Sequence, residues 1–371
     1  MRIALVCPYS CTVPGGVQTQ VLGLARSLRS CGDDVTVLAP ADKTAMAGRL
    51  DARALNGATF ERVGNGMPVA VNGSRAPVSP WPTTMARTHR ALRAFEPDVV
   101  HVHEPLVPGP SIAALLSSRW PLVGTFHRFG ADVAYRTYGR VVGRWTRRLD
   151  ACFAVSEEAA TTAQACVGHL RGRVAIIPNG VEVATLAHVV PWPTQGPTVV
   201  FVGRHERRKG LAVLLEAFAQ LPATARLWAL GDGPDTEDLR TRFASDQRVE
   251  WPGAVDDAER ARRLAGADVF AAPSLGGESF GVVLLEAMAA GTAVVASDLP
   301  GYRLAALQAA RFVPPGEPAA LAKGLLSVLY DVDGRRSLCE KGLQRAAECD
   351  MDLVAAQYRE VYGRLASARP E

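Results

Sequence analysis

Along the chain, short apolar runs rich in β-branched residues alternate with longer stretches whose apolar positions recur every three or four residues. Runs at 3–7, 35–39, 99–103, 122–126 and 174–177 predict strands. Between the first two, Val17, Val21, Leu24, Ala25 and Leu28 share one face of a predicted helix that ends near Cys31-Gly32. This alternation is the pattern of βαβ units, a parallel sheet covered by helices, and it gives the chain a Rossmann-like opening.

The pattern restarts after Pro191-Trp192-Pro193-Thr194-Gln195-Gly196-Pro197, where prolines forbid helix and remove ladder donors, as a linker requires. Further strands are predicted at 198–202, 227–230, 249–251, 269–271 and 293–296, with helices at 211–221, 256–264 and 282–290 and a helical tail over 352–365. The expected architecture is α/β: two Rossmann-like doubly wound domains facing a cleft. The first covers 1–187, a Pro-rich linker 188–197, the second 198–350, and a C-terminal helix lies within 351–371.

A length of 371 residues suits two domains with a core each and excludes a small scaffold stapled by disulfides. Forty-one Lys and Arg against 37 Asp and Glu leave +4, a balance compatible with an anionic ligand that does not by itself point to one. The seven cysteines (Cys7, Cys11, Cys31, Cys152, Cys166, Cys339, Cys349) form no C-x-x-C pair and have no His at ligand spacing. Neither a disulfide framework nor a zinc site is indicated, and a reducing, cytoplasmic compartment is expected. The apolar run 3–7 is too short for a signal segment, and the run 281–296 contains Glu286 and falls short of a span, so any membrane contact is expected to be peripheral.

Four constellations carry candidate chemistry. Pro14-Gly15-Gly16 between the first strand and its helix either makes a tight turn or lets backbone N–H groups meet a phosphate. It lacks the third glycine and the acidic residue of a dinucleotide fingerprint, which demotes a nicotinamide enzyme. Gly203-Arg204-His205-Glu206-Arg207-Arg208-Lys209-Gly210 follows the first strand of the second domain; it is either a solvated basic turn or places Arg204 and Lys209, five apart, on a diphosphate leaving group. In Gly276-Gly277-Glu278-Ser279-Phe280-Gly281 and the helix after it, Glu278 and Glu286 stand eight apart and can face one ligand's hydroxyls, although Glu286 alone reads as a solvated helix residue. His127 ends an apolar strand at the edge where open α/β sheets bind ligands, while a lone His there is also compatible with a structural role; His101 reads as core. A fifth feature is a helix with Arg136, Arg140, Arg144, Arg147 and Arg148 on one face and Val141, Val142, Trp145 and Leu149 opposite. It suits either docking on a core or touching anionic lipid.

In this order, a Gly-Gly loop, an Arg and Lys pair and two glutamates eight apart resemble the retaining glycosyltransferases of the GT-B fold, glycosyltransferase family 4. The resemblance extends to Cys7-Pro8-Tyr9-Ser10, Val13 through Gln18, Asn72-Gly73-Ser74, His101-Val102-His103-Glu104-Pro105, Pro178-Asn179-Gly180-Val181 and 276–298. The stretches near Tyr9 and Asn72 are similar to those of members that mannosylate phosphatidylinositol. The resemblance implies an N-terminal acceptor domain, a C-terminal nucleotide-sugar domain and a terminal helix returning towards the first. It implies that the Gly16 N–H, Arg204 and Lys209 hold the diphosphate of a donor such as GDP-mannose, Glu286 the ribose and Val255 the base. Glu278 with Ser279, Phe280 and Gly281 would hold the sugar, and His127 would reach it. His127, Glu278, Arg204 and Lys209 are the implied catalytic residues, and Tyr9, Gln18, Asn72 and Ser74 the implied acceptor residues. No tightly bound cofactor or metal is needed, because Arg204 and Lys209 take the metal's place, and nucleic acid is not an expected partner.

Departures lie on the acceptor side. Thr12, Pro77 and Asp132 stand where similar members have an acidic residue, an arginine and a lysine, and their basic cluster is thinned to Arg87, Arg90 and Arg93. These leave open a related enzyme acting on a soluble acceptor such as an inositol phosphate or small glycoside, and, further away, a noncatalytic nucleotide-sugar binding subunit.

Overall fold

The computed structural model describes residues 1–43, 50, 54–71, 74–117, 119–130 and 133–368. The chain divides into two units, Met1–Gly180 with Met351–Glu371, and Val181–Asp350.

In the first unit, strands β1 (Arg2–Val6), β2 (Asp34–Pro40), β3 (Thr59–Gly64), β6 (Val99–His103), β7 (Leu122–Phe126), β8 (Ala151–Ala154) and β9 (Val174–Ile176) form one sheet in the order β3-β2-β1-β6-β7-β8-β9. Every pairing is parallel. A separate antiparallel hairpin joins β4 (Met67–Val71) and β5 (Ser74–Val78). In the second unit, β10 (Thr198–Val202), β11 (Arg226–Leu230), β12 (Val249–Gly253), β13 (Val269–Ala272), β14 (Ala293–Ser297) and β15 (Ala310–Val313) form a parallel sheet ordered β12-β11-β10-β13-β14-β15. The expected two α/β domains are therefore present. Strands β3, β8 and β15 and the hairpin were not predicted.

Each sheet has an apolar cluster on either face, as a parallel sheet covered by helices requires. Central strands such as β6 and β7 are buried at all five positions, so they show no alternation of polar and apolar residues. The terminal helix Met351–Ser367 belongs to the first unit and packs beside the helix Gly16–Ser30. Arg359 and the chain's amino terminus both pair with Asp33, which is 1% exposed. Residues 181–187 and the proline-rich stretch 188–197 lie in the second unit. Trp192 anchors that stretch: its N–H donates to the Arg262 carbonyl at 2.8 Å, and the guanidinium groups of Arg262 and Arg263 lie over its ring.

The arginine-rich segment is not one helix. An α-helix, Val133–Val142, passes into a 3-10 turn, Gly143–Arg148, where a Cβ on Gly143 would lie 2.5 Å from Val167. All five arginines are exposed, and Val142 and Leu149 are buried. Val141, expected on the apolar side, is 58% exposed and joins the solvent face.

Strand β6 carries His101 and His103 on the face covered by the terminal helix, since alternate residues of a strand share a face. His101 is core, as expected: the Tyr362 hydroxyl sits 2.6 Å from its Nδ1 and Thr125 Oγ1 2.7 Å from its Nε2. Burial holds its pKa down at about 3, so the ring is neutral and both contacts satisfy a group with no access to water. Replacing Tyr362 with Phe strands the His101 Nδ1 and should lower the stability of the first unit by about 1–3 kcal/mol, read as a shift in its urea unfolding midpoint. An unshifted midpoint would mean that this bond adds nothing.

Candidate active site

In the second unit, β10 and β13 are neighbours, so the loops that follow them leave from the same edge of the sheet. Gly210 closes the loop after β10. Its φ is +72°, and a Cβ there would lie 2.0 Å from the Pro273 carbonyl oxygen, so only glycine allows the two loops to touch. The Leu275 N–H donates to the Arg208 carbonyl at 2.7 Å across this contact.

That closure brings cations onto Glu278. Lys209 Nζ donates to Glu278 Oε1 at 2.7 Å, Arg208 Nη1 at 3.1 Å and Ser274 Oγ at 3.1 Å. Burial pushes the Glu278 carboxyl up, but Lys209 and Arg208 outweigh it and hold the pKa below the ordinary value, so Glu278, its side chain 11% exposed, is a carboxylate. Arg208 also pairs with Glu206 at 2.7 Å, whereas Arg204 Nε lies 3.9 Å from Glu206 and its side chain is 37% exposed. Arg208, which the sequence did not single out, thus joins Lys209 on Glu278.

Glu286 lies on the helix Val282–Ala289, which opens at Gly281 with φ of +97°. It is not a solvated residue: its side chain is 12% exposed and Arg260 Nη2 lies 3.6 Å away. Burial raises its pKa, against the pull of Arg260. Val255 follows β12 and packs, half-buried, on the core; Ser279 is half-buried, and Phe280 is 1% exposed, leaving its backbone as the group available to a ligand. Among the described residues no three His, Cys, Asp or Glu side chains gather as a metal site would need.

In the first unit, the helix Gly16–Ser30 starts from an extended Gly15 with no side-chain cap, and a Cβ on Gly16 would meet nothing within 4 Å. Its first turn therefore offers backbone N–H groups to an anion. Gln18 is 4% exposed and its amide donates to the carbonyls of Ser10 at 3.3 Å and Val13 at 3.2 Å, so it shapes the loop before the helix. Tyr9 bridges to Val78 of β5, and burial, with Glu104 nearby, keeps its phenol protonated. Asn72 and Asp132 lie outside the described residues; Ser74 starts β5.

His127 follows β7 and is 6% exposed. Its Nε2 lies 3.0 Å from His103 Nδ1, and its backbone N–H donates to Glu104 Oε1 at 2.5 Å. Burial lowers its pKa to about 3. His103, Glu104 and Asn179 were legible only as parts of motifs carrying the family resemblance.

With this geometry the comparisons with known proteins agree. Two family models match, one described as Glycosyltransferase Family 4 over residues 14–185 and one as Glycosyl transferases group 1 over 196–331. The phosphatidyl-myo-inositol mannosyltransferase of Mycolicibacterium smegmatis is 38% identical, the match covering 99% of this chain and 95% of that protein. The protein of the same name from Mycobacterium leprae is 37% identical over 99% and 98%. The chain belongs to the phosphatidyl-myo-inositol mannosyltransferase family. A D-inositol 3-phosphate glycosyltransferase of Xylanimonas cellulosilytica is a more distant relative at 30% identity, covering 96% of this chain and 93% of its own. Among solved structures, Anabaena HepE in complex with UDP superposes with a TM-score of 0.77 at 20% identity, over 98% of this chain and all of that one, which establishes the shared GT-B fold. As a member of the mannosyltransferase family the protein is an enzyme, a hexosyltransferase.

Because Glu278 is held below its ordinary pKa, its ionised form favours the folded state. Its contribution is present above the unfolded carboxylate pKa and is lost as pH falls through the lower folded value. Chemical denaturation from about pH 3 to 7 should show wild type losing stability below the ordinary carboxylate range by more than Glu278→Gln does. Parallel acid limbs for the two proteins would contradict the ion-pair assignment.

Proposed function

We propose that the enzyme transfers mannose from GDP-mannose to the inositol ring of phosphatidylinositol, with retention of configuration. The observation that carries this reading is the preassembled cluster of Lys209, Arg208 and ionised Glu278 at the strand ends, in a chain whose relatives bear the name phosphatidyl-myo-inositol mannosyltransferase. Arg204 and Lys209, with the Gly16 N–H, take the donor's diphosphate and stabilise charge as the bond to the sugar breaks. Glu278 and the backbone of Ser279, Phe280 and Gly281 hold the sugar hydroxyls, Glu286 the ribose, and Val255 lies against the base. His127 donates to the same sugar. The departing phosphate oxygen accepts the proton of the attacking hydroxyl on the same face, which requires no protein nucleophile.

Tyr9, Gln18, Asn72 and Ser74 are assigned to the acceptor side, Gln18 through the loop it holds. No helix among the described residues is long and apolar enough to cross a membrane. The exposed row Arg136, Arg140, Arg144, Arg147 and Arg148 is assigned to peripheral contact with anionic lipid at the cytoplasmic face, where it supplies charge that the thinned Arg87, Arg90 and Arg93 do not. The inositol phosphate glycosyltransferase relative favours a second reading, a soluble inositol phosphate acceptor.

Purified enzyme incubated with GDP-mannose or UDP-glucose, across phosphatidylinositol vesicles and soluble inositol phosphates, should place mannose on the lipid, read by mass. Mannose on the soluble acceptor alone selects the second reading, and glucose transfer refutes the donor assignment. The double variant Arg140→Glu with Arg144→Glu should sediment less with anionic vesicles; undiminished sedimentation removes the arginine row from the account.

A further inference from the structure

Three donors meet on one oxygen of Glu278. Lys209 Nζ, Arg208 Nη1 and Ser274 Oγ all reach Oε1, and Oε2 takes no hydrogen bond from any described residue. Ser274 follows β13 by two positions and is 1% exposed, and its Oγ also lies 2.8 Å from the Tyr302 hydroxyl. Tyr302 is buried as deeply, on the helix Pro300–Ala306 that follows β14, the neighbour of β13 in the sheet. Two glycines let that helix lie against the Glu278 loop: a Cβ on Gly281 would come 2.6 Å from the Tyr302 ring, and one on Gly301 would run into the Glu278 carbonyl oxygen.

The direction of this chain follows from the number of protons in it. Oε1 already accepts from two cations and has no proton to give, so the Ser274 hydroxyl donates to it. A serine hydroxyl carries one proton. With that proton on Glu278, Ser274 Oγ is the acceptor towards Tyr302, and the phenol donates. The reverse assignment would set a Ser274 lone pair against a carboxylate oxygen at 3.1 Å.

The three donors are not equivalent. Lys209 is a point charge on a flexible stem and is also assigned to the donor's diphosphate, and Arg208 is shared with Glu206 at 2.7 Å. Ser274 is neutral and buried, so an arriving diphosphate does not draw it away. A carboxylate turns easily about its last side-chain bond, and a fixed neutral donor on Oε1 sets which way Oε2 faces.

We propose that Ser274 and Tyr302 are positioning residues for the transfer reaction: Tyr302 fixes the Ser274 hydroxyl, Ser274 fixes the Glu278 carboxylate, and Oε2 is left to accept from a hydroxyl of the donor sugar. The inference rests on the assignment of Glu278 to that sugar, and both residues act through Glu278.

The test compares full-chain variants in mannose transfer from GDP-mannose to phosphatidylinositol vesicles, or to the soluble inositol phosphate if wild type uses that, and in calorimetric titration with GDP, which has no sugar. Ser274→Ala should lose about 10- to 100-fold in kcat, the effect of one hydrogen bond to a charged group, with GDP affinity unchanged. Ser274→Thr, which keeps the hydroxyl on Cβ, should recover most of that loss. Tyr302→Phe should lose less than Ser274→Ala, and combining the two should lose nothing further, because Tyr302 acts through Ser274. Wild-type kcat in Ser274→Ala, a loss matched by an equal loss of GDP affinity, or additive losses in the double variant would each overturn the proposal. Should Ser274→Ala fail to fold, Tyr302→Phe decides: reduced kcat at unchanged GDP affinity supports the chain, and wild-type kcat contradicts it. Glu278→Gln controls for the underlying reading. Full turnover there, or none in wild type, overturns that reading and this inference with it, whereas a large loss in Glu278→Gln beside an unaffected Ser274→Ala overturns the positioning role alone.

Discussion

A parallel sheet sends every loop that follows a strand to the same edge, and the site is built on that constraint. In the second unit it brings the loops after β10 and β13 together, and the glycine at 210 lets them touch. In the first it gathers the glycine loop after β1, Glu104 after β6 and His127 after β7. None of these residues is adjacent in sequence to its partner; Lys209 and Glu278 are 69 positions apart and meet because their strands are neighbours.

The chemistry follows from how the charges are buried. A buried carboxylate without a cation would be protonated, and a buried cation without a carboxylate would be strongly disfavoured. Glu278 with Lys209 and Arg208 solves both problems without any ligand, and the carboxylate holds the two cations in place. The histidine pair follows the opposite rule. It is buried with no counter-ion bonded to either ring, and it is therefore neutral.

Much of the fold was legible in the sequence because buried parallel strands read as unbroken apolar runs, as at residues 3–7 and 199–202. Strands β8 and β15, four residues each, and the half-exposed β3 gave no such signal. The site was legible as motifs but not as contacts. A run of Arg-Arg-Lys is compatible with a solvated turn, and nothing local says that Arg208 and Lys209 close on Glu278, 70 and 69 positions away. His101 and His103 share a face of one strand, yet one is tied to Tyr362 and the other to His127, a difference set by residues far along the chain. Val141 was misplaced for a local reason: one position on from Arg140, it lies about 100° round the helix and so borders the arginine row rather than standing opposite it.

The central claim is that the cations of the loop after β10 hold the donor's diphosphate. Calorimetric titration of GDP and guanosine into wild type and Lys209→Met tests it most directly. The account predicts that GDP binds wild type at least about tenfold more tightly than guanosine, and that Lys209→Met removes most of that difference while leaving guanosine unaffected. Equal affinities for GDP and guanosine in wild type, or a GDP preference unchanged in Lys209→Met, would contradict it.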